Sequence, residues 1–377
     1  MANRREFLIG AGALALASWA KGAHALTPPA PLPTWAPYAR TFALDACGTI
    51  GRQDHQPDAM LSAEELADLR ESGLSALQIT VAPVGHYLNA FEETMGQIAF
   101  WDAELAAHPE QLLSLRDAAD LQRARDENKT GLIYNFQDTT PFGEDLDRVG
   151  VFYQLGVRSV QLTYNLRNLV GDGCLEPANA GLSKFGRQLI EALNQKKMVV
   201  DLAHSGQRTA LEAIAASKSP AVISHTGCAA LAALPRNKTD AELRAVAERG
   251  GVVGIYLMPF LRTQGQPMAA DLIAHLEHAV NVCGEDHVGI GTDGTVSATQ
   301  LTAQYKAEHR KFIAERRAKG ISAPGEADDV YLILPDLNHP RRFETLGAML
   351  SARGHSDARI GKILGGNFKR VMSEVWG

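Results

Sequence analysis

The chain contains 377 residues, of which 45% are hydrophobic, 21% are charged and 6% are aromatic. These proportions lie near the average for globular proteins and exclude collagen-like, low-complexity and disordered chains. The formal net charge of −6 provides no basic surface for a nucleic acid. Four cysteines in a chain of this length do not make a disulfide framework. We therefore expect a globular protein without a nucleic-acid partner.

The first residues have the features of an export signal. Arg4 and Arg5 form a twin-arginine pair, and the mostly apolar run that follows at residues 10–19 is too short to span a bilayer. Residues 23–25 read Ala-His-Ala, the small-x-small pattern that a signal peptidase recognises. An uncleaved amphipathic tail or anchor is the alternative. We predict a twin-arginine signal peptide over residues 1–25 and a periplasmic mature protein without a membrane span.

A stretch with five prolines follows and predicts a stiff linker over residues 26–39. Beyond it, short apolar runs alternate with longer segments of helical periodicity. The predicted strands cover residues 42–50, 76–84, 131–137, 159–164, 198–204, 221–225, 252–257 and 287–293. The predicted helices between them cover residues 62–72, 91–107, 146–155, 184–196, 207–216, 240–248 and 270–283.

This alternation of strands and helices predicts the fold class. No glycine-rich nucleotide loop follows the first strand, so a closed (β/α)₈ TIM-type barrel is favoured over an open doubly wound sheet. The barrel domain is expected to span residues 40–377. Helical segments from residue 301 onward are expected to form an appendage on the barrel. Its basic tract at 306–317 and its acidic tract at 325–329 are interpreted as solvated faces.

Polar or reactive side chains stand at or near the ends of the predicted strands. They are Cys47, Gln137, Tyr164, His204, His225 and Asp293. In a (β/α)₈ barrel the carboxyl ends of the strands converge on the face where active sites are built. A single histidine after a strand is most often structural. Two histidines on adjacent strands, as His204 and His225 are, suit a zinc ion. An aspartate beside a metal-bound water, the position predicted for Asp293, acts as a general base. The pattern therefore predicts a metal-dependent hydrolase site.

The segments around these residues resemble the membrane dipeptidase (renal dipeptidase) family of zinc peptidases. The matching segments are residues 200–205, 223–226, 235–237, 288–293 and 363–368. The resemblance extends over about residues 40–377 and implies a (β/α)₈ barrel, often dimeric, that hydrolyses dipeptides with a pair of zinc ions. By this resemblance His204 and His225 are ligands of the second zinc, Asp293 is the catalytic aspartate, and Arg236 binds the substrate carboxylate.

Three strand ends depart from the pattern of that family. The first strand should end in a His-x-Asp pair that holds the first zinc, but the sequence has Cys47 and Thr49. The third strand should end in a glutamate that bridges both metals, and Gln137 stands there; a neutral amide binds metal weakly. The fourth strand should end in a histidine that stabilises the oxyanion, where this chain has Tyr164. A phenol still donates a hydrogen bond, so we expect Tyr164 to take part in catalysis and substrate binding.

These changes limit the expected zinc content to at most one ion per chain. A site that binds no metal is the alternative. Two imidazoles, His204 and His225, with Cys47 or Asp293, would complete a tetrahedral set. Gln137 is a weaker candidate ligand. Cys47 has two alternative roles, as a nucleophile activated by a nearby histidine or as a buried structural residue.

Three functions are compatible with this site. We expect an exported hydrolase of dipeptides or similar small amides with a free carboxylate, because a general-base aspartate and a carboxylate-binding arginine are both retained. The first alternative is a periplasmic enzyme that matures a peptide-derived metabolite by different chemistry. The second is a non-catalytic protein that kept the pocket and lost the metal. A fold alone does not choose among them. The resemblance leaves a homodimer open.

Overall fold

The computed structural model describes residues 31–52, 55, 59–85, 88–318 and 320–377, so the predicted signal peptide at 1–25 lies outside the described residues. Within them the strands are β1 (Leu44–Asp45), β2 (Gly48–Thr49), β3 (Ala76–Thr80), β4 (Leu112–Ser114), β5 (Thr130–Phe136), β6 (Val157–Gln161), β7 (Val199–Asp201), β8 (Val222–Thr226), β9 (Val252–Ile255), β10 (Val288–Ile290) and β11 (Gly294–Thr295). The α-helices are α1 (Ala63–Ser72), α2 (Ala90–Ala107), α3 (Ala118–Asp126), α4 (Arg148–Gln154), α5 (Lys184–Gln195), α6 (Gln207–Ala216), α7 (Asp240–Glu248), α8 (Ala269–Cys283), α9 (Ala303–Ala318), α10 (Arg342–Ala352), α11 (Asp357–Gly361) and α12 (Asn367–Trp376).

Parallel strands form a nearly closed barrel at the centre of the fold. Hydrogen bonding orders them β1-β3-β5-β6-β7-β8-β9-β10, with β4 paired to β5 outside this order. The amide of Ala46 donates to the carbonyl of Ile290 over 3.0 Å, and β2 pairs in parallel with β11. These contacts join the first barrel strand to the last. Helices connect each barrel strand to the next, which confirms the predicted (β/α)₈ fold class.

The observed elements differ most from the predicted ones in two places, and several strands end earlier than predicted, among them β3 at Thr80 and β7 at Asp201. The predicted strand at 42–50 is divided into β1 and β2. The sequence also gave no signal for β4 and α3, because β4 has only three residues and α3 buries only Asp120, Leu121 and Ala124. Periodicity is weak in elements that bury so little. In contrast, α6 and α7 occupy the predicted bounds.

The last helix closes the amino end of the barrel. Phe368, Val371 and Met372 of α12 are buried in one cluster with residues that begin the barrel strands, among them Val199 and Val252. A side chain at Gly289 of β10 would lie 2.5 Å from the Phe368 ring, so glycine is required for this close approach. These side chains fill the barrel interior at its amino end, whereas the active sites of this fold are built at the carboxyl end.

Part of the predicted linker is packed on the folded unit. A 3₁₀ helix spans Ala36–Arg40, and both Trp35 and Tyr38 are buried. The Tyr38 hydroxyl donates to the carbonyl of Ser72 over 2.7 Å, and the indole of Trp35 donates to Asp357 over 2.8 Å. Residues 35–40 are therefore not a free surface segment, because two aromatic side chains dock against α1 and α11. In the described part of the chain, no helix is both long and apolar enough to cross a membrane.

Candidate active site

The structure brings the predicted strand-end residues to one end of the barrel. His225 is the penultimate residue of β8, and the others follow a barrel strand: Cys47, Gln137, Tyr164, His204 and Asp293. The strand order places them on neighbouring loops, as expected for carboxyl ends that converge.

His204 and His225 face each other, with their Nε2 atoms 3.0 Å apart. The amide nitrogen of Asn165 donates to the carbonyl of Ile321 over 3.0 Å, which turns its oxygen toward His204. That oxygen lies 2.7 Å from Nδ1 of His204. An amide oxygen only accepts, so the hydrogen-bond network assigns the proton of His204 to Nδ1. Nε2 of His204 therefore presents a lone pair to His225.

The same reasoning applies to His225. Nδ1 of His225 lies 2.8 Å from the hydroxyl of Ser224, and that hydroxyl donates to Oδ2 of Asp201. Oδ1 of Asp201 also accepts the backbone amides of Ala203 and Ser224, over 3.1 and 2.9 Å. Burial raises the pKa of this carboxyl, and these hydrogen bonds oppose the rise and favour its ionised form. Because the Ser224 hydroxyl donates its proton to Asp201, its oxygen accepts a hydrogen bond from Nδ1–H of His225. The lone pair of the His225 ring therefore lies on Nε2.

Two imidazole lone pairs therefore point at each other and require a cation close to both. A proton is disfavoured, because burial lowers the pKa of His204 and of His225 well below the usual range, and the Arg236 guanidinium acts in the same direction. Neutral imidazoles with their second nitrogen fixed by a hydrogen bond are the usual ligands of zinc-type ions. The pair fits a metal ion on the observed geometry.

One further set of donors adjoins this pair. Among the described residues, Cys47, His225 and Asp293 form one group whose ligand atoms all lie within 4.8 Å of one another. His204 does not belong to this group, but its Nε2 lies 3.0 Å from Nε2 of His225, which does. Gln137 donates its amide N–H to Sγ of Cys47 over 3.2 Å and to the hydroxyl of Thr80 over 2.9 Å. Its amide nitrogen, not its oxygen, thus faces Cys47, so the geometry does not present Gln137 as a ligand.

The surroundings of Cys47 bear on its chemical role. Cys47 is buried, and its thiol donates toward Asp293 over 3.8 Å. Burial raises the pKa of the Cys47 thiol well above its usual range, and the Asp293 carboxylate adds to this effect. A thiol that stays protonated is a poor nucleophile. These observations favour a structural role over the nucleophile alternative, and a ligand role requires a bound cation that deprotonates the thiol.

Asp293 is held in one position between β10 and β11. Its backbone has φ 57°, the left-handed region that aspartate tolerates better than most residues and that clusters at functional sites. Its amide donates to the carbonyl of Cys47 over 2.6 Å, and the preceding Thr292 is fixed by two hydrogen bonds to buried Asp45. Burial raises the pKa of Asp293 to about 6, while Arg236 and Arg316 oppose the rise. Such a carboxylate can accept a proton near neutral pH.

Arg236 and Tyr164 line a cavity of about 170 Å³ that also contacts Asp293 and His204. Arg236 is only 2% exposed, and its Nη1 donates to the carbonyl of Ala203 over 3.0 Å. Its Nη2 is buried without a hydrogen-bond partner in the described part of the chain. The Tyr164 ring stacks on the His204 ring with centroids 4.2 Å apart. This cavity therefore contains an unpaired cationic donor beside the proposed base.

Arg316 of α9 also lines this cavity, and sequence reasoning missed it. The interpretation of residues 306–317 and 325–329 as solvated faces is wrong for two of them, since the exposures of the Arg316 and Glu326 side chains are only 14% and 3%. Two nitrogens of Arg316 bond Glu326 over 2.8–3.1 Å, and its Nη1 donates to the Tyr164 hydroxyl over 3.5 Å. The only sequence signal for this contact was a pair of opposite charges ten residues apart. Such a pair does not show which side of α9 faces the barrel.

A larger cavity of about 540 Å³ adjoins the first, and both are lined by Asp293, Phe312 and Leu332. Its other lining residues on the barrel side include Cys47, Thr49, Thr80 and Gln137, and those from α9 include Tyr305, Glu308 and His309. The candidate site is therefore a two-part cleft divided at the carboxylate of Asp293.

A barrel with nitrogen, sulfur and oxygen donors and a partly buried carboxylate at its carboxyl end defines the class of metal-dependent (β/α)₈ hydrolases. The model of the membrane dipeptidase family (peptidase family M19) matches residues 52–322. The chain therefore belongs to this family and is a metallodipeptidase-like hydrolase.

Individual relatives agree with this assignment. Dipeptidase verJ of Clonostachys rogersoniana is 31% identical over 228 residues, which cover 59% of this chain and 50% of verJ. An uncharacterized protein in the pqqA 5' region of Klebsiella pneumoniae is 29% identical over 286 residues, 72% of this chain and 93% of that protein. Among solved structures, an amidohydrolase from Pseudomonas aeruginosa is 32% identical, with a TM-score of 0.78 and coverage of 90% of this chain and 98% of that one.

A more distant solved structure is similar in fold. The metallo peptidase from Rhodobacter sphaeroides, liganded with a phosphinate mimic of the dipeptide L-Ala-D-Ala, is 18% identical, with a TM-score of 0.71. The match covers 89% of this chain and 100% of the Rhodobacter sphaeroides chain. At this identity the comparison shows that the two proteins share a fold.

Proposed function

We propose that this chain is an exported hydrolase that cleaves the amide bond of dipeptides or similar small amides with a free carboxylate, and that it holds at most one zinc-type ion. The observation that carries the proposal is the buried Nη2 of Arg236, which has no partner among the described residues and belongs to a cavity shared with Asp293 and Tyr164. A guanidinium that stays charged needs an anion there, and a carboxylate matches its planar fork.

Asp293 and Tyr164 supply the groups that amide hydrolysis requires beside that anion. The Asp293 carboxylate accepts the proton of the attacking water and returns it to the leaving amine. Arg316 has only donors, so the Tyr164 oxygen accepts from it and the phenolic proton is free to point into the cavity. In that direction it donates to the oxyanion as negative charge develops.

The proposed metal site holds one ion per chain. His204 and His225, with Asp293 or Cys47, would hold the ion, and such an ion supplies a Lewis acid and lowers the pKa of a bound water. Two dications close together repel strongly unless anionic ligands lie between them. Gln137 is neutral where the family pattern has a bridging carboxylate, and Cys47 and Thr49 replace the His-x-Asp pair.

The proposed cellular location rests on residues 1–25, with the twin-arginine pair, the short apolar run and the cleavage triplet in order. Twin-arginine export carries folded proteins, which is compatible with a metal acquired before export. We therefore place the reaction in the periplasm.

The test uses the mature protein with its native metal. Hydrolysis of Ala-Ala is compared with that of its C-terminal amide, and binding of both is measured for the native protein and for Arg236→Lys. We expect Arg236→Lys to weaken binding of the free acid by about 1–3 kcal/mol, the scale of a charged hydrogen bond, and to leave binding of the amide unchanged. Equal binding of acid and amide by the native protein would contradict the role of Arg236.

A further inference from the structure

We propose that the acyl half of the substrate is bulky and lacks an amino group, so that N-acyl amino acids are preferred over dipeptides with a free amine. This inference rests on the proposed function, which fixes the amide bond and the carboxylate. It adds the chemical class of the group on the other side of the bond.

The two cavities fix which half of the substrate lies where. Arg236 lines only the 170 Å³ cavity, so the half that carries the carboxylate belongs there. Asp293, Phe312 and Leu332 line both cavities, and the scissile bond must lie beside Asp293. The acyl half then extends into the 540 Å³ cavity, which has about three times the volume of the carboxylate side. That space is larger than the side chain of a small amino acid needs.

Apart from Asp293, the described residues on the inner wall of the larger cavity carry no charge that would bind an ammonium group. The other side chains there are neutral: Cys47, Thr49, Thr80 and Gln137. A charged group moved from water into such surroundings loses hydration that neutral partners do not replace. An ion pair of the ammonium with Asp293 would occupy the base that the reaction needs.

The one other acid that lines this cavity among the described residues is Glu308. It lies at the exposed rim on α9, where Gln304 donates to its carboxylate over 2.9 Å. An ion pair at such a position is screened by water and contributes little. Glu308 therefore does not substitute for a buried carboxylate.

The outer wall favours an apolar group. Tyr305, Phe312 and Leu332 line it, and Phe312 is 41% exposed. A bulky acyl chain would cover this exposed ring and remove apolar surface from water. Hydrolysis breaks the amide C–N bond, adds the hydroxyl of water to the acyl carbon and its proton to the nitrogen, and releases a carboxylic acid and a free amino acid. No oxidant or reductant is involved.

The experiment compares two ligands that differ by one amino group, 3-phenylpropanoyl-Ala and Phe-Ala. Both kcat/KM and the dissociation constant are measured with the metal-loaded mature protein. We expect kcat/KM to be at least tenfold higher, and binding at least tenfold tighter, for the compound without the amine. Equal values, or a preference for Phe-Ala, would overturn the inference.

The two measurements separate this inference from the proposed function. If neither compound is hydrolysed and 3-phenylpropanoyl-Ala still binds tenfold more tightly, the hydrolase proposal fails and the inference on the acyl cavity stands. If both are hydrolysed at equal rates and bind equally, the hydrolase proposal stands and the inference fails.

A variant tests the position of the acyl group independently. Thr49 is exposed, and its hydroxyl donates to the neighbouring carbonyl of Ile50 over 3.3 Å. Thr49→Trp narrows the larger cavity and should lower the ratio of kcat/KM for 3-phenylpropanoyl-Ala to kcat/KM for acetyl-Ala at least tenfold. The matched Thr49→Val variant should keep the ratio of the two substrates. A Thr49→Trp protein with an unchanged ratio would place the acyl group elsewhere.

Discussion

The contact between Arg316 and Glu326 should determine how firmly α9 closes over the site. Nε and Nη2 of Arg316 bond both carboxylate oxygens over 2.8–3.1 Å, and the exposures of the two side chains are 14% and 3%. Glu326→Gln removes the negative charge and leaves the shape of the side chain. The remaining guanidinium would then be largely buried without an anion.

The expected loss follows from this burial. Removal of one partner from a fully buried ion pair costs about 3–5 kcal/mol. Arg316 keeps some exposure and still donates to the carbonyl of Ile321 over 3.2 Å, so we expect the lower range of about 2–3 kcal/mol for Glu326→Gln. This free energy applies to opening of α9, because both residues lie outside the barrel strands. Each 1.4 kcal/mol is about a factor of ten, so amide exchange in α9 should become about 30- to 140-fold faster.

Native-state hydrogen exchange of the α9 amides measures this opening directly. The matched control is Glu315→Gln on the same helix, since Glu315 is 55% exposed and its pair with Lys311 spans 3.8 Å. The control should change exchange by less than about twofold, as expected for a surface pair. The double variant Arg316→Met/Glu326→Gln should recover about 1–2 kcal/mol relative to the sum of the single variants.

The reasoning would be refuted by either of two results. Exchange in α9 that is the same in Glu326→Gln and in the native protein would show that the ion pair does not hold the helix. Strictly additive effects of the two substitutions would show that the residues do not stabilise each other.

Further predictions concern the base, the metal and export. Asp293→Asn should keep the fold and lower kcat by about 100- to 10,000-fold. In the native protein kcat/KM should fall as the pH drops through about 6, because protonated Asp293 cannot accept a proton. A flat profile of kcat/KM from pH 5 to 8 would contradict this role. Elemental analysis of the native protein should give at most one zinc per chain, and His204→Ala should remove it; two tightly bound ions would overturn the single-site proposal. Replacement of Arg4 and Arg5 by lysine should leave precursor in the cytoplasm, and normal export of that variant would remove the twin-arginine interpretation.

The sequence by itself determined the fold and the general location of the site. Apolar runs of strand length alternating with amphipathic helices are local patterns, so the (β/α)₈ barrel could be predicted from them. Because the carboxyl ends of parallel strands converge, His204, His225 and Asp293 could be placed together without coordinates. The family assignment followed from short segments around the same strand ends.

The tertiary structure alone decided how these side chains face each other. The tautomers of the two histidines depend on Asn165 and Ser224, whose hydrogen bonds are set by packing and not by sequence spacing. Arg316 is 152 residues from Tyr164 in the chain, and no local pattern shows which face of α9 meets the barrel. Burial produces the raised pKa of Asp293 and the unpaired donor of Arg236, and burial is a property of all surrounding elements together. The sequence therefore identified most of the candidate site residues, while the two-part cleft around them arises from long-range packing.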